Sequence, residues 1–172
     1  MELIQLYMKK HYDSAVTAAV DYLSYKERTE QQVRIKLREY GFDEKDIDEA
    51  IAELADSLLL DDSDYAHCFV QSKLAQKPQS LRSLRSKMKS RKLPDCIIEQ
   101  ELLALPENSD YENAYAESLT FFRRMNPTEG DADIKKLREK LMRRLINHGY
   151  CYDDVKSAVR QAEYDFFHPD QE

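Results

Sequence analysis

The stretch VRIKLREYGFDEKDIDEAI, residues 33–51, decides how the chain folds. Val33, Leu37 and Tyr40 recur at helical spacing and then meet Gly41, a residue that accepts the left-handed backbone closing a helix. Phe42 follows, and Asp43 opens a second amphipathic run through Ile47, Ala50, Ile51, Leu54 and Leu58. Adding 108 to Val33, Leu37, Gly41, Phe42, Ile47 and Ile51 gives Leu141, Leu145, Gly149, Tyr150, Val155 and Val159. Adding 51 gives Leu84, Met88, Lys92, Leu93, Ile98 and Leu102, a middle copy with lysine in place of the glycine. Self-similarity at such a period marks stacked supersecondary units.

Working outward, helical patterns occur in three sets of three. The first set starts with Val16, Ala19, Val20 and Leu23, and its second helix is entered through Thr29 with Gln32 as capping-box partner. Leu58-Leu59-Leu60 runs straight into Asp61-Asp62, where an aspartate can cap a helix carrying Tyr65, Ala66, Phe69, Val70 and Leu74. Pro78 ends that helix, Ser80 caps the next, and Pro94 suits the start of the sixth. The last set opens at Tyr111, Ala114 and Tyr115, with Asn126 to Gly130 as its longest loop. It continues through Ile134, Leu137, Leu141 and Leu145, then Val155, Ala158, Val159, Ala162 and Phe166. The expected organisation is an N-terminal extension at 1–13, repeats at 14–60, 61–106 and 107–168, and a frayed tail at 169–172.

Composition agrees with an all-α chain. The sequence has 172 residues, 34% charged and 42% hydrophobic, with three glycines, five prolines and no tryptophan. It is too apolar for disorder, and no apolar run reaches membrane-spanning length. No secretory leader is legible, so a cytoplasmic protein is expected, with Cys68, Cys96 and Cys151 as buried thiols.

The net charge of -7 conceals a segregation. Glu39 to Asp64 holds eleven acidic residues and one basic, whereas Gln71 to Lys92 holds eight basic residues and no acidic one. Within the latter, Lys73, Lys77, Arg82, Arg85, Lys89 and Lys92 are candidate contacts to phosphates or carboxylates of a partner. A solvated face that offsets the acidic first repeat explains the same charges. A second basic run, Lys135, Lys136, Arg143 and Arg144, is open to both readings, and Tyr25 or Tyr40 could stack on bases or pack between helices.

Catalytic chemistry finds no support. His11, His67, His148 and His168 lack metal-ligand spacing, and three scattered glycines build neither a phosphate loop nor a serine elbow. Asp61-Asp62 and Asp153-Asp154 flank helix starts, where capping accounts for them. No catalytic residue, metal or cofactor is expected.

Several pieces resemble the RecX regulatory proteins of bacteria. They are Ala19-Val20-Asp21-Tyr22-Leu23, Lys26-Glu27-Arg28-Thr29-Glu30, Lys36-Leu37-Arg38-Glu39-Tyr40-Gly41-Phe42, and Leu59-Leu60-Asp61-Asp62 followed by Tyr65-Ala66. The family usually has a Gly-Pro pair entering the fifth helix and a Lys-Gly turn leaving it; here stand Pro78-Gln79-Ser80 and Lys92-Leu93. The resemblance implies three tandem three-helix repeats in an elongated, curved modular array. It further implies a monomer that binds the RecA recombinase filament and inhibits or modulates recombinase and co-protease activities in DNA repair and the SOS response. In that setting Arg82, Arg85, Lys89 and Lys92 would face DNA phosphates or acidic RecA residues. A generic helical-repeat adaptor and a direct DNA-binding regulator are the other functions compatible with the sequence.

Overall fold

A computed structural model describes residues 12–128 and 133–169, and all regular structure among them is helical. The helices are α1 (Ala15–Tyr25), α2 (Glu30–Tyr40), α3 (Glu44–Asp56), α4 (Asp62–Gln76), α5 (Leu81–Ser90), α6 (Asp95–Leu103), α7 (Ser109–Met125), α8 (Ile134–Asn147) and α9 (Tyr152–Phe167). Most of the extension at 1–13 and of the tail at 169–172 lies outside the described residues, as do 129 and 130 of the expected 126–130 loop.

Local chemistry sets the helix starts. Thr29 and Gln32 form a reciprocal capping box on α2, and Ser14, Asp43, Asp61 and Ser80 each accept amides of the helix they precede. The helix stops are equally regular. Gly41, Lys92 and Gly149 have φ of 93°, 67° and 97°, so the middle copy makes the same left-handed turn with a side chain that disfavours it.

Each set of three helices encloses its own core. Val33, Leu84 and Leu141 occupy equivalent sites and are buried, as are Leu37, Met88 and Leu145, and Ile47, Ile98 and Val155. Ala19, Ala66 and Ala114 are fully enclosed where the first helix of each set crosses its neighbours, since a small side chain permits close approach. The cysteines depart from expectation: Cys68, Cys96 and Cys151 are all exposed. Cys68 and Cys96 stand two residues from the core positions Ala66 and Ile98, which at 100° per residue turns them outward, and Cys151 precedes α9.

Adjacent repeats meet through helix ends, and the two junctions share two bonds, to which the second adds the Asn113 side-chain amide donating to the Gln79 carbonyl at 3.2 Å. At the first, the Thr29 hydroxyl donates to the Arg91 carbonyl at 2.8 Å, and the Glu30 amide donates to Asp62 at 2.8 Å. At the second, the Ser80 hydroxyl donates to the His148 carbonyl at 2.7 Å, and the Leu81 amide donates to Asp110 at 2.7 Å. One capping hydroxyl therefore accepts from its own helix and donates to the end of the corresponding helix in the next repeat. The aspartate stands at the N-termini of two helices at once, a position that favours negative charge.

Candidate interaction surface

The cations of the middle repeat divide into two groups. Arg85 and Lys89 face α6, where Arg85 makes a two-pronged contact with Glu99 at 2.8 and 2.6 Å and Lys89 meets Asp95 at 3.1 Å. These two charges are compensated inside their own repeat. Lys92 lies past the end of α5 rather than on it, exposed on its left-handed turn. Arg82 stands at the second junction, its side-chain carbons 3.2 and 3.3 Å from where a Cβ on Gly149 would lie.

The other group forms a band across the repeats. Lys73 and Arg91 approach the ring of Phe69 at 5.4 and 5.7 Å, an arrangement in which the π face attracts both cations. Lys87 is half-buried beside them and hydrogen-bonds Gln79. Burial pulls the Lys87 ammonium below its ordinary pKa, and the charges of Lys77 and Lys73 pull it the same way, so the three lysines share one neighbourhood. Lys77 in turn lines a cleft of about 180 Å³ with Arg124, Arg144 and His148.

That cleft joins residues from both basic runs. Its single carboxylate, Glu117, has only 14% of its side chain exposed and lies 3.2 Å from His148 Nδ1 and 4.0 Å from Arg144. The Tyr150 hydroxyl donates to Glu117 at 3.1 Å, and burial together with that carboxylate pushes the Tyr150 pKa upward. Three permanent cations against one carboxylate leave the cleft positive, and a concave site concentrates such a field. It can hold a phosphate or carboxylate oxyanion through charge-assisted hydrogen bonds.

Of the remaining candidates, Lys136 pairs with Asp133 at 2.7 Å, while Lys135 and Arg143 point to solvent. Tyr25 is 74% exposed and Tyr40 packs on Tyr12 at a ring separation of 5.1 Å. Sequence reasoning gave Phe69 only a place in the apolar frame of α4 and did not reach Glu117 or Arg124. They lie in first helices, which repeat after 48 residues from Asp62 to Asp110, whereas second helices repeat after 57 from Arg91 to His148. With those spacings, Phe69 and Glu117 are equivalent, and so are Arg91 and His148.

The profile of the RecX first three-helix domain matches residues 4–54. A regulatory protein RecX of Clostridium botulinum (strain Alaska E43 / Type E3) is 34% identical over 151 residues, covering 87% of this chain and 69% of that one. One from Prosthecochloris aestuarii is 30% identical over 145 residues, covering 84% of this chain and 91% of that one. The chain belongs to the RecX family of regulatory proteins. The same fold occurs in the crystal structure of RecX from Lactobacillus salivarius, with a TM-score of 0.75, 23% identity, and coverage of 87% of this chain and 95% of that one. No helix among the described residues is long and apolar enough to cross a membrane, and no group of three His, Cys, Asp or Glu among them is placed to hold a metal ion.

Proposed function

We propose that this RecX family member binds the RecA recombinase filament as a monomer and restrains its recombinase and co-protease activities. The observation that carries the reading is the basic band from Arg91 and Lys73 through Lys87 and Lys77 to Arg144, which crosses repeats of an otherwise acidic molecule. A filament offers repeating phosphates and acidic side chains, and a band running over successive repeats meets more than one filament subunit. Arg82, Lys92, Lys135 and Arg143 add exposed positive charge elsewhere on the molecule, while Lys136 is already paired with Asp133. Arg85 and Lys89 contribute less, because each already has a carboxylate partner. No step in this reading requires catalysis; occupation of the filament is enough.

The test is RecA ATPase and DNA strand exchange with added protein, in wild type and two charge-reversal variants. Reversal of Lys73, Lys77 and Arg144 is expected to weaken inhibition at least about tenfold, since interfacial charges in a desolvated contact contribute on that scale. Reversal of Arg85 and Lys89 is expected to leave inhibition nearly intact. Absence of inhibition by folded wild type would overturn the proposal, and equal inhibition by both variants would remove the band from it. Tight binding to duplex DNA without RecA, falling steeply with salt, would favour a direct DNA-binding regulator instead.

A further inference from the structure

The first two repeats tie their second and third helices together with matching ion pairs. Arg34 meets Asp48 and Arg38 meets Glu44, each at 2.6 Å. Fifty-one residues on, Arg85 meets Glu99 at 2.6 Å and Lys89 meets Asp95 at 3.1 Å. A further 57 residues on, these four positions are Met142, Lys156, Ile146 and Tyr152. The third repeat thus replaces three charges with apolar groups and one acid with a lysine. Ile146 is 42% exposed and Tyr152 58% exposed.

The consequence is a groove of about 670 Å³ between α8 and α9, lined by Met142, Tyr152, Val159 and Tyr164 among others. Its cations are unequally compensated. Arg138 is bound by Glu163 at 2.7 and 2.6 Å, whereas Lys156 and Arg160 meet no carboxylate among the described residues. The apolar part of this groove is unfavourable in water, and its exposed cations without a carboxylate partner favour an acidic, apolar surface over it.

We propose that the α8–α9 groove docks an acidic, apolar-anchored polypeptide segment of a partner protein. Its aliphatic or aromatic anchors would fill the space beside Met142 and Tyr152, and its carboxylates would meet Lys156 and Arg160. The Glu163 carboxylate in the wall disfavours a polyphosphate, which carries a charge at every unit, but not a peptide that spaces its acids. A second copy of this chain is disfavoured because its acidic side is the first repeat. Joining first repeat to third makes a head-to-tail contact that grows without closing. The groove uses no residue of the basic band, so this inference stands apart from the RecA reading.

The test titrates full-length protein, labelled at methionine methyls and tyrosine rings, with a synthetic amphipathic peptide carrying leucines at helical spacing and glutamates between them. Shifts are expected at Met142 and Tyr152 with that peptide. They should be absent with the same peptide carrying lysine for glutamate, and with serine for leucine. The Lys156→Glu, Arg160→Glu protein is expected to bind at least about tenfold more weakly, while Arg85→Glu, Lys89→Glu protein binds as wild type; melting curves establish that both are folded. No shift at millimolar peptide, or equal shifts with the basic peptide, would overturn the proposal. So would the same shifts with a single-stranded oligonucleotide, or sedimentation showing self-association that Tyr152→Ser abolishes.

Discussion

At the first junction Lys73 and Arg91 stand over the ring of Phe69, and at the second Arg144 and His148 stand around the carboxylate of Glu117. Two hydrogen bonds at the edges of each junction match group for group, and the second junction adds one from Asn113 to the Gln79 carbonyl. Docking geometry is thus held by hydroxyls, aspartates and carbonyls at helix ends, while the centre beneath the cations is free to change character. A π face and a carboxylate share the property that matters, because each presents negative potential to a cation. The first centre gives its cations no carboxylate partner, whereas the second sets Glu117 beside Arg144 and His148 and hydrogen-bonds the buried Tyr150.

Gly149 and Gly41 give the sharpest way to break the comparison. Both adopt the left-handed turn, but a Cβ at Gly149 would lie 2.9 Å from the Ser80 hydroxyl, while one at Gly41 meets nothing within 4 Å. Gly41→Ala should cost about 1 kcal/mol from backbone strain alone, and Gly149→Ala about 3 kcal/mol because the junction must also shift. Urea melts of the two variants measure the difference; equal losses would mean that the second junction yields freely.

The shared bonds come next. Thr29→Ala and Ser80→Ala each remove a cap and a bond between repeats, and each should destabilise by about 1–2 kcal/mol. Near-equal values in calorimetry would support equivalence of the junctions, and a twofold disparity would show that one carries more of the array. Smaller, and opposite in sign, is Lys92→Gly. Relief of the left-handed lysine should stabilise the middle repeat by about 1 kcal/mol, readable as a raised melting temperature.

The smallest effect concerns the two junction aspartates. Burial outweighs the accepted amide bonds and raises the pKa of Asp62 and of Asp110, so the folded state holds these protons more tightly than the unfolded chain. Their contribution to stability is full below the unfolded value near ~4 and is lost as pH rises through the folded values. Asn in both places keeps an acceptor for the Glu30 and Leu81 amides without the charge. The double variant should exceed wild type in stability at neutral pH, and the gap should close as pH falls below about 4. Denaturation at several pH values checks this; a gap that widens in acid would contradict the sign.

Much of the architecture was legible in the chain because it rests on local rules. The capping box at Thr29, the Asp61 and Ser80 caps, and the apolar frame of second and third helices follow from residue type and spacing. The cysteine burial did not survive, and the internal pairing of Arg85 and Lys89 was not visible. Helical rotation turned Cys68 and Cys96 outward, and acids of the following helix reached Arg85 and Lys89 from 14 and six residues away. Linear charge counting sees neither effect. The cleft of Lys77, Arg124, Arg144 and His148 gathers α7, the end of α8 and the turn after α4, with no contiguous signature.

By itself, then, the sequence determined the class, the count of repeats and the left-handed turn that ends the second helix of the first and third repeats, because periodicity, caps and left-handed glycine are properties of short segments. Tertiary structure alone decided which cations are spent on internal acids and which stand together. Charge compensation depends on distances of a few ångströms between helices, and those distances are set by how neighbouring repeats dock through Thr29, Ser80, Asp62 and Asp110.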